Sequence, residues 1–191
     1  MKWIPKIPRN WQIAFTLLFG IFFGLAAYTI YMSRAWSYLS DDPSACVNCH
    51  VMAPQYASWY HSPHRGRANC NDCHVPHTST FAKYAFKAKD GLYHSYVFTM
   101  REEPMAIRAK EASSGVIMDN CIRCHTTLNT ALVKTGTVCF RDTEEGKGKA
   151  CWNCHRDVAH GKISNISSAP NALVPLPKSP VPDWLKRRIK E

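Results

Sequence analysis

The chain opens on a long stretch without charge. From Trp11 to Ser33 there is no Asp, Glu, Lys or Arg, and the run from Ile13 to Ala27 is strongly apolar. A helix of about 20 such residues crosses a hydrocarbon core of ~30 Å, so 11–33 is predicted as a single transmembrane helix. Lys2, Lys6 and Arg9 precede it with no acid among them. Residues 1–10 are therefore expected to stay in the cytoplasm, with the rest of the chain outside. Trp11 at one end, and Tyr28, Tyr31, Trp36 and Tyr38 at the other, suit the two interfacial belts. A cleaved signal peptide is the alternative, with Ser33-Arg34-Ala35 as a cleavage site. Its apolar region is typically about 7–15 residues, shorter than this one, which favours a retained anchor.

Beyond the anchor the pattern changes. Residues 81–112 carry good helix formers, with Gly91 a weak point, and are predicted helical. Residues 142–149 read as a charged, flexible loop. The tail from 163 to 191 holds prolines at 170, 175, 177, 180 and 182 and ends in a basic cluster. It is expected to be extended, laid over a partner or disordered. Residues 34–162 remain as the principal domain. The nine glycines and twelve prolines of the 191-residue chain suit a loop-rich wrapper.

The cysteines explain what is wrapped. CxxCH occurs four times, as Cys46-Val-Asn-Cys49-His50, Cys70-Asn-Asp-Cys73-His74, Cys121-Ile-Arg-Cys124-His125 and Cys151-Trp-Asn-Cys154-His155. Each reads as a c-type haem attachment site, with two thiols for thioethers and a histidine for the iron. Zinc sites also use CxxC pairs, and a disulfide framework would use the cysteines too. Neither explains a histidine directly after the second cysteine every time. Four haems leave too little polypeptide for an ordinary core, so the fold class expected is mainly α with much irregular structure, wrapped around the haems. Thioether attachment also places this domain outside the cytoplasm. The motif starts fall into two pairs, with the longest interval between the second and third. The formal charge of +10 is ascribed to neutralising haem propionates rather than to nucleic-acid binding.

The motif histidines His50, His74, His125 and His155 are the default proximal ligands. His61, His64, His77, His94 and His160 remain for the opposite faces. His160 and His64 lie too near their own motifs to serve the same iron easily, and each is expected to cross to another haem, with a surface position the alternative for His64 and for His61. His77 is the expected bystander. Met52, in Cys49-His50-Val-Met52, reads on its own as packing. Lys83, Lys87, Asp90 and His94 recur at spacings of four, three and four, which puts them on one helix face. Such a face is either solvated and ion-paired or built to handle protons, since lysine, carboxylate and imidazole can each do so when burial tunes them.

Together, the membrane helix, the four motif intervals, CxxCHxM at the first site and the His64, Lys87 and His160 positions resemble the NapC/NirT family of membrane-anchored tetrahaem quinol dehydrogenases. Within it, the stretch from Ser37 to Trp59 is most similar to the branch that serves cytochrome c nitrite reductase. The resemblance covers roughly residues 12–165. It implies four covalently bound haems c and oxidation of menaquinol. It places the chain in a bacterial cytoplasmic membrane, facing the periplasm. It implies that electrons pass to a periplasmic multihaem reductase, the ammonia-forming nitrite reductase, while this chain is not itself the nitrite-reducing subunit. Another client such as nitrate reductase, or a passive relay without a quinol site, are the alternatives. The resemblance further implies Met52 as axial ligand of the first haem with His50 displaced, and Lys87 lining the menaquinol site. His64 and His160 would serve internal haems, and the partner would supply a last ligand. The family's acidic residue near the first iron aligns with His94, while Asp90 lies one turn earlier, so either can face that iron. Cys139 belongs to no motif and reads as an incidental thiol.

Overall fold

The computed structural model describes residues 8–175 except 129 and 137, together with 179, 181, 183, 186 and 187. Lys2 and Lys6, and the prolines at 177, 180 and 182, lie outside the described residues. The chain forms two compact units, the first containing the N-terminal segment to Ser37 and the second running from Tyr38 to Pro177.

In the first unit, α1 spans Arg9–Met32 and buries none of its residues. Its 24 residues make a rod of about 36 Å, enough for a bilayer core. A helix that is apolar on every side belongs in lipid. Its two threonine hydroxyls are satisfied within the helix: Thr16 Oγ1 donates to the Gln12 carbonyl at 2.9 Å and Thr29 Oγ1 to that of Leu25 at 2.8 Å. This removes the cost of carrying unpaired donors into hydrocarbon. The helix ends where Arg34 adopts a left-handed φ of 54°.

The second unit is helical and irregular, with no strand among the described residues. Its helices are α2 (Ala53–Tyr60), α3 (Cys70–His74), α4 (Thr80–Met100), α5 (Glu111–Cys124), α6 (Thr130–Lys134), α7 (Phe140–Glu144) and α8 (Cys151–Cys154). The expected helix over 81–112 is thus two helices. Ser79 starts α4 by accepting the Ala82 N–H at 3.1 Å, and the helix runs through Gly91. It stops at Arg101, in the left-handed conformation (φ 56°), just ahead of Pro104, whose ring disfavours helix in the residue before it. Residues 142–149 also depart from a simple loop. Their start belongs to α7, and the Lys147 and Gly148 N–H groups both donate to the Asp142 carbonyl, at 2.8 and 2.9 Å. The start of the proline-rich tail is tied down as well: the Ile107 N–H donates to Ser164 O at 2.8 Å, and Asn165 Nδ2 to Met105 O at 3.0 Å.

Among the described residues the buried apolar side chains are Ala45, Val47, Pro54, Val75, Met118 and Ala150. That is a thin core for a domain of this length, and it fits a chain whose apolar filling comes from porphyrins. The tightest polar brace joins α3 to α5. Asn120, 5% exposed, donates from Nδ2 to the carbonyls of Cys73 (3.0 Å) and Val75 (2.9 Å). Arg123 Nε donates to Asn120 Oδ1, and Arg123 Nη2 to the Asp72 carbonyl, each at 3.2 Å. Asn120→Ala strands two carbonyls and should cost about 1–3 kcal/mol, read as a lowered thermal midpoint of the haem-loaded protein.

Candidate functional site

The last three CxxCH motifs are helical, and the first is not. α3 is the second motif itself. A reciprocal cap closes its start: Asn69 Oδ1 accepts the Asp72 N–H at 3.1 Å and Asp72 Oδ2 accepts the Asn69 N–H at 2.8 Å. The third motif is the last turn of α5, and α8 is the fourth. A helical i,i+3 spacing lays both thiols of a motif on one face, where one porphyrin edge can meet them. The first motif instead lies in a 3-10 turn, Pro43–Asn48, and the backbone becomes extended at Cys49 (φ −94°, ψ 111°). His50 is exposed, as are His125 and His155, while Met52 is half-buried.

The thiols gather two by two. Cys46 hydrogen-bonds Cys70, and Cys121 hydrogen-bonds Cys151. The first two motifs are neighbours, and so are the last two, as their intervals along the chain suggest. Burial is the main cause that pushes the Cys121 thiol up to about 12. Among the described residues no three Cys, His, Asp or Glu side chains converge as a metal site would require, so the paired-CxxC zinc reading finds no tetrahedral cluster here.

The structure brings two expected distal histidines to two motif histidines. The rings of His64 and His125 have centroids 6.2 Å apart, as do those of His74 and His160. Two imidazoles sharing one metal at bonds of about 2.0–2.1 Å, each with its ring centre about 1.1 Å further on, would stand about 6 Å apart. Both pairs therefore fit a bis-histidine iron. Burial, followed by the facing His160, pushes His74 down to about 4, and burial also lowers His160. Each is kept neutral, the form that binds metal. His160 Nδ1 is 2.9 Å from the Gln55 carbonyl and 3.2 Å from Ser58 Oγ. Donation to Gln55 leaves Nε2 as the free lone pair. Ala159 just before it has φ 61°, the bend that returns His160 towards α2. His64 sits on a loop braced by Trp59 Nε1 donating to the Ala68 carbonyl at 2.9 Å. Its Nδ1 is buried with no hydrogen-bond partner among the described residues, as suits a ring whose polar partner is a metal.

The other histidines stay apart from these pairs. His61 is exposed against Tyr60, and His77 Nε2 lies 3.2 Å from the Asn71 carbonyl. His155 is exposed, with no histidine ring facing it among the described residues. Cys139 precedes α7 and takes no part in a motif.

The polar face of α4 divides into two clusters. Lys83 and Lys87 both meet Asp41. Lys83 donates to Asp41 Oδ2, and Lys87 Nζ lies 2.9 Å from Asp41 Oδ1 and 2.8 Å from the Ser40 carbonyl. Asn71 Nδ2 donates to the same Asp41 Oδ1 at 2.9 Å and to Ser40 O at 3.3 Å. Donation from Lys83 and then Lys87 holds the Asp41 carboxyl far below the ordinary carboxylate range. The charge of Lys87 is felt at Cys46, so this cluster borders the first motif. Asp90 and His94 form the second cluster, with His94 Nε2 3.5 Å from Asp90 Oδ2 and Lys110 Nζ 2.5 Å from Asp90 Oδ1. Lys110 Nζ also sits 3.7 Å from the Tyr93 ring centre. Both Asp90 and His94 act electrostatically on His74, which puts them beside the second motif. Asp41, Asn71 and Lys110 were not marked by the sequence pattern. Asp41 lies 46 residues from Lys87, beyond the reach of helical periodicity.

The chain is similar to known proteins. The NapC/NirT cytochrome c family, N-terminal region, matches residues 7–165. Cytochrome c-type protein NrfH of Wolinella succinogenes is 40% identical over 159 residues, covering 82% of this chain and 90% of that one. Cytochrome c nitrite reductase subunit NrfH of Nitratidesulfovibrio vulgaris is 33% identical over 129 residues, covering 68% and 74%. Among solved structures, a chain of the cytochrome c nitrite reductase NrfHA complex bound to the HQNO inhibitor superposes with a TM-score of 0.55 at 29% identity, covering 85% of this chain and 99% of that one. With α1 long and apolar enough to cross a bilayer, the chain belongs to the NapC/NirT cytochrome c family, as a membrane-anchored cytochrome with covalently bound haem c.

Proposed function

We propose that this chain oxidises menaquinol and hands the electrons through four haems c to a periplasmic multihaem nitrite reductase of the ammonia-forming type. Residues 1–10 stay in the cytoplasm, 11–33 anchor the chain in the bacterial cytoplasmic membrane, 34–162 hold the haems on the periplasmic side, and the tail from 163 is available to a partner. The reductase partner is inferred from the relatives named cytochrome c nitrite reductase subunit NrfH and the NrfHA complex.

Haem c supplies reversible one-electron iron chemistry when bound. The protein's part is to hold and tune it. Cys46 and Cys49, Cys70 and Cys73, Cys121 and Cys124, and Cys151 and Cys154 provide the attachment thiols. Met52 would hold the first iron in place of His50, and a thioether ligand would raise the potential there. His74 with His160, and His125 with His64, would hold two internal irons. His155 would hold the fourth, with a last ligand supplied by the partner. Quinol oxidation releases two protons with its two electrons, so the site needs a hydrogen-bond donor for a quinol oxygen and groups to take protons away. Lys87 is the donor. Asp90 and His94 are the acceptors, with His94 exposed enough to pass protons to water.

The observation that carries this reading is Lys87, held almost out of solvent (12% exposed) and bordering the one motif that is not α-helical. Rapid mixing of oxidised, detergent-purified protein with a menaquinol analogue tests it. The expected result is fast bleaching of the oxidised haem bands, with nitrite consumed once the purified reductase is added. Slow reduction by quinol alongside fast reduction by dithionite would make the chain a relay fed by another protein.

A further inference from the structure

We infer that Asp41 is the positioning residue that aims Lys87, and that Lys87 therefore acts on quinol as a fixed cationic donor and not as a proton acceptor. The inference rests on the quinol-site reading above. An ammonium has three N–H bonds and no acceptor. In Lys87 two of them are committed, one to Asp41 Oδ1 at 2.9 Å and one to the Ser40 carbonyl at 2.8 Å. Both partners can only accept, so the ammonium serves them as donor and one N–H remains to point elsewhere. The two anchors come from adjacent residues on the segment just before the first motif, so the third N–H is fixed relative to that motif. Lysine needs such a clamp, because its four-carbon stem is otherwise free to rotate.

Asp41 is itself held on both oxygens. Lys83 donates to Oδ2, and Asn71, from within the second motif, donates to Oδ1. Asn71 Nδ2 also reaches the Ser40 carbonyl at 3.3 Å. The clamp thus joins α4, the approach to the first motif, and the second motif. It assigns the two α4 clusters different work: Lys87 orients quinol, and the protons leave through Asp90 and His94.

The test uses the full-length, haem-loaded protein and a menaquinol analogue, comparing wild type, Asp41→Asn, Asp41→Glu and Lys87→Leu. Haem content and dithionite reduction check loading. Asp41→Asn should raise KM for the analogue about tenfold, the scale of one charge-assisted hydrogen bond, and leave the limiting rate within about twofold. Asp41→Glu should recover most of that affinity. A purely structural role would lower yield or stability without a KM shift that glutamate reverses. If Asp41→Asn does not load haem, Asn71→Ala serves instead, with a KM rise of about threefold expected. A wild-type KM in the clamp variant, with Lys87→Leu defective, overturns the clamp alone. Lys87→Leu indistinguishable from wild type overturns both the clamp and the quinol-site reading.

Discussion

Lys87→Leu should slow reduction of the haems by a menaquinol analogue about 10- to 100-fold, the loss expected when a buried charge-assisted hydrogen bond of about 1.5–3 kcal/mol is removed from a substrate oxygen. Reduction by dithionite, which needs no binding site, should be unchanged. The leucine leaves the stem's packing nearly intact and removes only the ammonium, so a wide separation of the two reductants assigns the loss to quinol chemistry. Asp41 then loses one of its two lysines but keeps Lys83 and Asn71, and the local fold should hold. Equal rates with both reductants in wild type and variant would remove the site from α4 altogether.

The second large effect is spectroscopic. His160→Ala should convert the haem of the second motif from low-spin bis-imidazole to a five-coordinate or water-ligated species, and His64→Ala should do the same to the haem of the third motif. The pairs are separate in space: His160 faces His74, and His64 faces His125. The effects should therefore add. Each single variant removes one haem's share of the low-spin paramagnetic signal, and the double variant removes two. Loss of the same share in the double variant as in either single one would mean that both histidines serve a single haem, against the paired geometry. Quinol should still reduce the first haem in both single variants, since neither residue touches the Asp41–Lys87 cluster, while onward transfer should fall.

Much of this was legible in the sequence because it is local. A CxxCH string needs five consecutive residues, and a membrane helix needs only an unbroken apolar run. His64, His160 and Met52 could be singled out through the family resemblance, but not paired. Pairing depends on the fold, and here on a single backbone bend at Ala159 and on the Trp59 brace. The four CxxCH strings alone did not set the first motif apart; the CxxCHxM resemblance did, and the extended backbone at Cys49 is its structural counterpart. The α4 stripe was visible as a period of three and four, but its meaning was not. Periodicity places Lys87 and Asp90 on one face, yet their partners come from Asp41 and Lys110, which no spacing rule connects to the helix. The end of α4 was missed because its composition favours helix beyond Met100, and the left-handed Arg101 overrides that preference.

The two imidazole pairs also bear on how the polypeptide is kept folded. Residues 64 and 125 close one loop, residues 74 and 160 close another, and the two overlap along the chain. Once iron joins each pair, neither loop can open without breaking a metal bond, and together they interlock like a pair of crossed staples. Cross-links of this kind restrict the unfolded chain. A thin core then suffices, and durability becomes a matter of how slowly the iron–imidazole bonds let go. Assembly carries the converse requirement: the haem of the third motif can be closed once residue 125 has been delivered, while that of the second must wait for residue 160.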